Sequence, residues 1–116
     1  MGKNKLQRWA ELGTFRNVIQ PDLSEQPGGD NQLKGKWRRD VFGNDYPVVL
    51  ELACGKGEYT IGLAHLFPEA NFIGVDIKGA RIWRGAKTAS EKAMGNTAFL
   101  RTRIEFISSY FAPGEI

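Results

Sequence analysis

The sequence predicts an α/β fold built on a doubly wound parallel sheet. Apolar runs alternate with helix-like stretches, glycines cluster where the first run ends, and the second run closes on a carboxylate. All three features meet in Pro47 to Asp76, PVVLELACGKGEYTIGLAHLFPEANFIGVD. The order is strand, glycine-bearing turn, short helix, proline break and second strand, a βαβ unit.

Each element has its own reason. Val48, Val49, Leu50 and Leu52 form a nearly unbroken apolar run, so Val48 to Ala53 reads as a parallel strand covered on both faces. Gly55 and Gly57 follow, where positive φ and a missing Cβ let backbone amides approach a ligand. A helix from Gly57 to Leu66 ends before Pro68, and Asn71 to Asp76 is the second strand. A further helix starts near Gly79, and Thr97 to Thr102 is the third strand. In doubly wound order the first strand is central, so three strands alone leave it as an open edge, inviting aggregation or pairing with another chain.

Residues 1–46 differ in character and read as a basic, partly flexible arm ahead of a half-domain at 47–116. Gln20 to Gln32 is rich in Pro, Gly and polar residues and has little capacity for a core. Lys3, Lys5, Arg8 and Arg16 make the opening basic, fit to gain structure on a partner. Trp9 and Phe15 lie among these cations and Trp37 precedes Arg38 and Arg39, either to stack on bases or to pack on the sheet.

The turn after the first strand points to a nucleoside-type ligand. Asp76 lies 21 residues beyond Gly55 (76 − 55), close to the ~20 at which an acid meets ribose hydroxyls. The loop lacks a full G-x-G-x-x-G, since Glu58, Tyr59 and Thr60 follow Gly57. Glu51 and Glu58 flank it, and two carboxylates suit a cation better than a pyrophosphate. S-adenosylmethionine, with its ribose, sulfonium and ammonium, fits; a nicotinamide-dependent oxidoreductase fragment is the weaker reading. Two structural roles stay open: Glu51 as an acid holding loop amides, and Asp76 as the cap of the helix after it.

The strings ELACGKGEYT, FIGVDIKGARIWRGAKTA and NTAFLRTRIEFI resemble bacterial tRNA (guanine-N7-)-methyltransferases, with KGARIWRGAK the more specific block. The likeness runs from Trp37 to Glu115, and KNKLQRWAELGTF is also similar to that family's opening. It implies a Rossmann-like class I methyltransferase fold, with this chain as the N-terminal half of the doubly wound sheet, S-adenosylmethionine as cofactor and tRNA as partner. The implied cofactor residues are Glu51, Ala53, Cys54, Gly55, Gly57, Asp76 and Ile77, with a further contact at Arg103 and Ile104. Arg103 departs from the carboxylate common there, and Ala53 stands where glycine is common. The family's Phe-Pro-Asp-Pro motif, which acts on the target base, does not occur in these 116 residues. The chain therefore reads as the cofactor-binding part, inactive in methylation by itself, with no residue assigned as catalytic. A non-catalytic cofactor- or RNA-binding module is the alternative.

Charge is uneven. The net value is only +3, yet between Lys78 and Arg103 seven basic residues stand against Glu91 alone. Lys78, Arg81, Arg84 and Lys87 run along one side of the predicted helix and, with the resemblance, become the expected tRNA contacts. The one cysteine, Cys54, excludes an internal disulfide and reads as a packing residue; the one histidine, His65, reads as a helix-surface residue. No metal-ligand cluster, signal peptide or apolar run of ~18 residues is legible, so a soluble cytoplasmic protein is expected.

Overall fold

The computed structural model describes residues 4–21 and 30–116. Helix α1 (Lys5–Leu12) leads to strand β1 (Val18–Ile19), and a π-helical turn (Trp37–Phe42) precedes β2 (Val48–Leu52). Helix α2 (Glu58–Leu66), β3 (Asn71–Asp76), α3 (Gly79–Glu91) and β4 (Thr97–Arg101) follow, and a 3₁₀ turn (Ile104–Ser109) ends the series. The strands form one parallel sheet in the order β1-β4-β3-β2. β3 is buried along its whole length, because β2 and β4 flank it and side chains pack on both faces.

Alternation along the strands divides the core in two. Ile73, Val75, Ala98 and Leu100 point to one face, where Val48, Trp37, Tyr110 and Phe111 cover them. Phe99 points to the other, against Leu12, Cys54, Ile82, Trp83, Ala86 and Ala89. α3 supplies that second layer because Ile82, Trp83, Ala86 and Ala89 recur at helical spacing, leaving Arg81 and Arg84 exposed.

The N-terminal segment departs from the sequence reading. Val18–Ile19 is a fourth strand, paired in parallel with Phe99 and Leu100 of β4. The basic opening already has structure: an Asn4–Gln7 capping box starts α1, which packs on α3. Lys3 and most of the Gln20 to Gln32 stretch lie outside the described residues. The aromatics turn inward. Trp37 has no exposed surface, donates its indole N–H to the Tyr110 carbonyl at 2.7 Å and stacks on Phe111. It is a core residue and not a base-stacking one. Trp9 stays half open and is covered by the Arg101 guanidinium 4.2 Å from its ring centre.

β2 is the edge strand, with no neighbour on its outer side among the described residues. Val49 is 39% and Leu52 48% exposed, so the strand is not covered on both faces. Helix α2 turns Tyr59, Leu63 and Leu66 outward, and Phe67 just after it is exposed too.

The two helix-interior glycines have opposite surroundings. A Cβ at Gly85 would stand 2.8 Å from the Lys56 carbonyl and 2.9 Å from the Phe99 ring; one at Gly62 would meet nothing within 4 Å. Gly85→Ala is expected to destabilise the chain by about 1–3 kcal/mol. Gly62→Ala should stabilise it by roughly 0.5–1 kcal/mol, through helix propensity alone. Urea unfolding of both variants checks this, and equal shifts in one direction would contradict the packing described.

Candidate functional site

The site is assembled at the C-terminal ends of β2, β3 and β4, where the chain turns from sheet to helix. A loop from Ala53 to Gly57 leaves β2 and rises into α2. Ala53, Gly55 and Gly57 all have positive φ, at 58°, 58° and 75°. For Ala53 that is a costly conformation and accounts for glycine being the easier residue there. Gly57 could carry no side chain in any case, since a Cβ would stand 2.9 Å from the Phe99 ring.

Asp76, at the tip of β3, is nearly buried and joined to this loop. One carboxylate oxygen accepts from the Gly55 N–H at 2.9 Å, and the other from the Lys78 N–H, also at 2.9 Å, on the approach to α3. The same side chain thus fixes the glycine loop and the start of the next helix. A carboxylate has about four acceptor sites, so two of them remain. Glu51, on β2, accepts the Thr60 hydroxyl at 2.6 Å across the loop. Sequence reading missed Thr60; its place one turn into α2 was the only signal.

Two cavities lie on either side of this loop. One, of about 330 Å³, is lined by Ala53, Asp76, Ile77, Thr102, Arg103, Ile104 and Glu105. It brings together residues from the ends of three strands. Thr102 is fully buried, and its hydroxyl oxygen has no hydrogen-bond partner among the described residues. Such an orphan costs free energy unless something satisfies it. Arg103 lines the cavity where a carboxylate was the common residue, but Glu105 lines it as well, two positions on. The second cavity, of about 580 Å³, lies over Glu51, Cys54, Gly55, Glu58 and Tyr59, with Lys56 and Arg81 at its rim. Four carboxylates, loop amides, apolar Ile77 and Ile104 and an unpartnered hydroxyl suit a ligand that joins a cation, hydroxyls and a flat apolar group.

Cys54 is buried beneath the loop. Burial, then the nearby Asp76 and Glu51 carboxylates, push its thiol up to about 12. It is a packing residue and a poor nucleophile. His65 is exposed on α2, away from these cavities. Among the described residues no group of His, Cys, Asp and Glu is placed to hold a metal ion, and no helix is long and apolar enough to cross a membrane.

The basic residues of α3 do not behave alike. Lys78, Arg81 and Arg84 are exposed. Lys87 instead turns to α1, 3.4 Å from Glu11, and lies over the Trp83 ring. It is already engaged inside the protein, because α1 packs against the flank that helical spacing assigned to solvent.

The family model described as "Putative methyltransferase" matches residues 45–116. A protein from Christiangramia forsetii named tRNA (guanine-N(7)-)-methyltransferase is 57% identical over 98% of this chain and 51% of its own. One of the same name from Bacteroides thetaiotaomicron is 50% identical over all of this chain and 46% of its own. The chain thus spans about half the length of the curated relatives it matches. The solved structure of PKMT2 from Rickettsia typhi in complex with AdoHcy overlays 67% of this chain and 17% of its own. Its TM-score of 0.44 at 24% identity is too weak a likeness to carry weight.

The raised Cys54 thiol gives a direct check. At pH 8 the native chain should react with iodoacetamide orders of magnitude more slowly than the urea-unfolded chain, since thiolate is the reacting form. Equal rates would show that Cys54 is open to solvent and ionised in the fold.

Proposed function

Because the chain belongs to the methyltransferase family whose model spans its residues 45–116, we propose that it binds S-adenosylmethionine and serves the methylation of guanine N7 in tRNA. The observation that carries this is the pairing of Asp76 and Glu51 around the Gly55–Gly57 loop. Relatives at 57% and 50% identity that bear the tRNA (guanine-N(7)-)-methyltransferase name support the substrate. The cytoplasm, where tRNA is modified, is the corresponding location.

The cofactor supplies an electrophilic methyl group on a sulfonium. Asp76 accepts from the ribose hydroxyls with the lone pairs its backbone partners leave free. Glu51, held by Thr60, offers a carboxylate to the cationic end, with Ala53, Cys54, Gly55 and Gly57 forming the loop wall beside it. Ile77 and Ile104 provide apolar contact for the flat base, and the Thr102 hydroxyl and Glu105 give that end polar partners. Arg103 borders the same cavity. Guanine N7 has a lone pair and no proton to lose, so the demand on the protein is to position the two reactants, and a general base is not required. Lys78, Arg81 and Arg84 form the exposed face for tRNA phosphates, while Lys87 supports that face from within.

Asp76→Ala should weaken S-adenosylmethionine binding tenfold or more, from loss of a charge-assisted contact worth about 1.5–3 kcal/mol. Calorimetric titration checks it, with NAD as the comparison ligand and thermal melting to show the variant is folded. A folded variant of unchanged affinity, or a native chain that prefers NAD, would refute the reading.

A further inference from the structure

A third cavity, of about 730 Å³, runs between α2 and α3 under the N-terminal helix, and Arg8, Lys56, Arg81 and Arg84 line it together with Glu58 and Trp83. We propose that this groove is a phosphodiester-binding site for the tRNA backbone, in which Arg8 and Lys56, from two distant parts of the chain, complete what α3 begins. The proposal rests on the tRNA reading above and adds to it a site and two residues.

Charge is the first reason. Four cations face one carboxylate, and among the described residues none of the four is in an ion pair. Elsewhere on this surface Arg39 is matched with Asp40, and Lys87 with Glu11. Cations left unmatched around a concave surface attract a polyanion and gain from counterion release when one binds.

Construction is the second. Arg8 lies over the Trp83 ring at 4.9 Å, and its buried Nε has no hydrogen-bond partner among the described residues. It is held there by its own helix. Glu11, one turn on, accepts the Trp83 indole N–H at 2.6 Å and meets Lys87, so α1 is pinned to α3 with Arg8 over the groove. A guanidinium fixed by stacking, with donors unspent, is well suited to a phosphate.

Position is the third. Lys56, Glu58 and Arg81 line both this groove and the cavity over Glu51. A backbone seated among the cations therefore lies next to the glycine loop. Glu51 and Asp76 do not line the groove, whose one carboxylate is Glu58. That carboxylate opposes a phosphate that strays toward the cavity over Glu51.

The test is binding of an unmodified tRNA transcript to the full chain over a series of KCl concentrations. In Arg8→Gln/Lys56→Gln the log–log salt slope should fall by ~1.8, about 0.9 for each lost phosphate contact. At low salt the affinity should drop at least tenfold. Lys5→Gln, on the same helix but outside the groove, should leave the slope nearly as it was. S-adenosylmethionine affinity, measured in Arg8→Gln and in Lys5→Gln, whose side chains line neither cofactor cavity, should stay within about threefold, and thermal melting of every variant shows that the fold is intact. An unchanged slope in the double variant overturns the groove, and so does an equal loss in Lys5→Gln, which would indicate diffuse charge. Saturation of the groove by inorganic phosphate without effect on tRNA binding overturns it too, as does a native chain that binds no tRNA. Failure to bind S-adenosylmethionine with the salt slopes as expected would instead remove the cofactor reading and leave the groove standing.

Discussion

The ring of Phe99 holds this structure together. It projects from β4 into a socket walled by glycines on three other elements. Side chains at Gly57, Gly74 or Gly85 would stand 2.9, 3.0 and 2.9 Å from it. The ring thereby sets the distance between β3, the loop after β2 and helix α3. Interiors packed at this density transmit displacement and do not absorb it. Gly57, one of the three left-handed residues of the loop, packs against that ring, and Gly55 of the same loop donates to Asp76. Packing deep in the sheet thus governs backbone geometry at the surface.

Around this loop carboxylates and cations are held by separate sets of contacts. Toward the strand tips lie Glu51 and Asp76, each already bound to a neighbour that orients it. Toward the helices lie the cations, arranged by a second set of contacts in which Glu11 joins α1 to Trp83 and Lys87. Some of the hydrogen bonds at these centres join parts of the chain far apart in sequence. Asp76 reaches across 21 residues to Gly55, and Glu11 across 72 to Trp83.

The N-terminal segment has a larger part than its composition promised. It adds β1 to the sheet, covers Trp83 and Phe99 through Leu12 and Phe15, and ties back through Arg101, which donates to the Ile77 carbonyl at 3.0 Å and shields Trp9. Glu115 makes a similar closure at the other end, accepting from the backbone of Gly35, Trp37 and Ala112. A buried carboxylate with this many donors is a satisfied one, and it fixes the turn that places Trp37.

What the sequence by itself determined is local: the βαβ unit over residues 47–76, the helix beginning at Gly79, and an acid at the tip of the second strand. These were legible because hydrophobic period, glycine and proline act within a few residues of where they stand. Tertiary structure decided the rest. Val18–Ile19 is too short to show a period, and it is a strand only because β4 offers it unpaired backbone groups. Trp37 lies among arginines in sequence, yet its surroundings are Tyr110 and Phe111, seventy residues away, and burial won. Lys87 shares a helical stripe with Arg81 and Arg84, but a neighbouring helix took it. Thr60, Thr102 and Glu105 matter through what they face, which no spacing along the chain records. A side chain's role follows from its neighbours in space, and only packing chooses those.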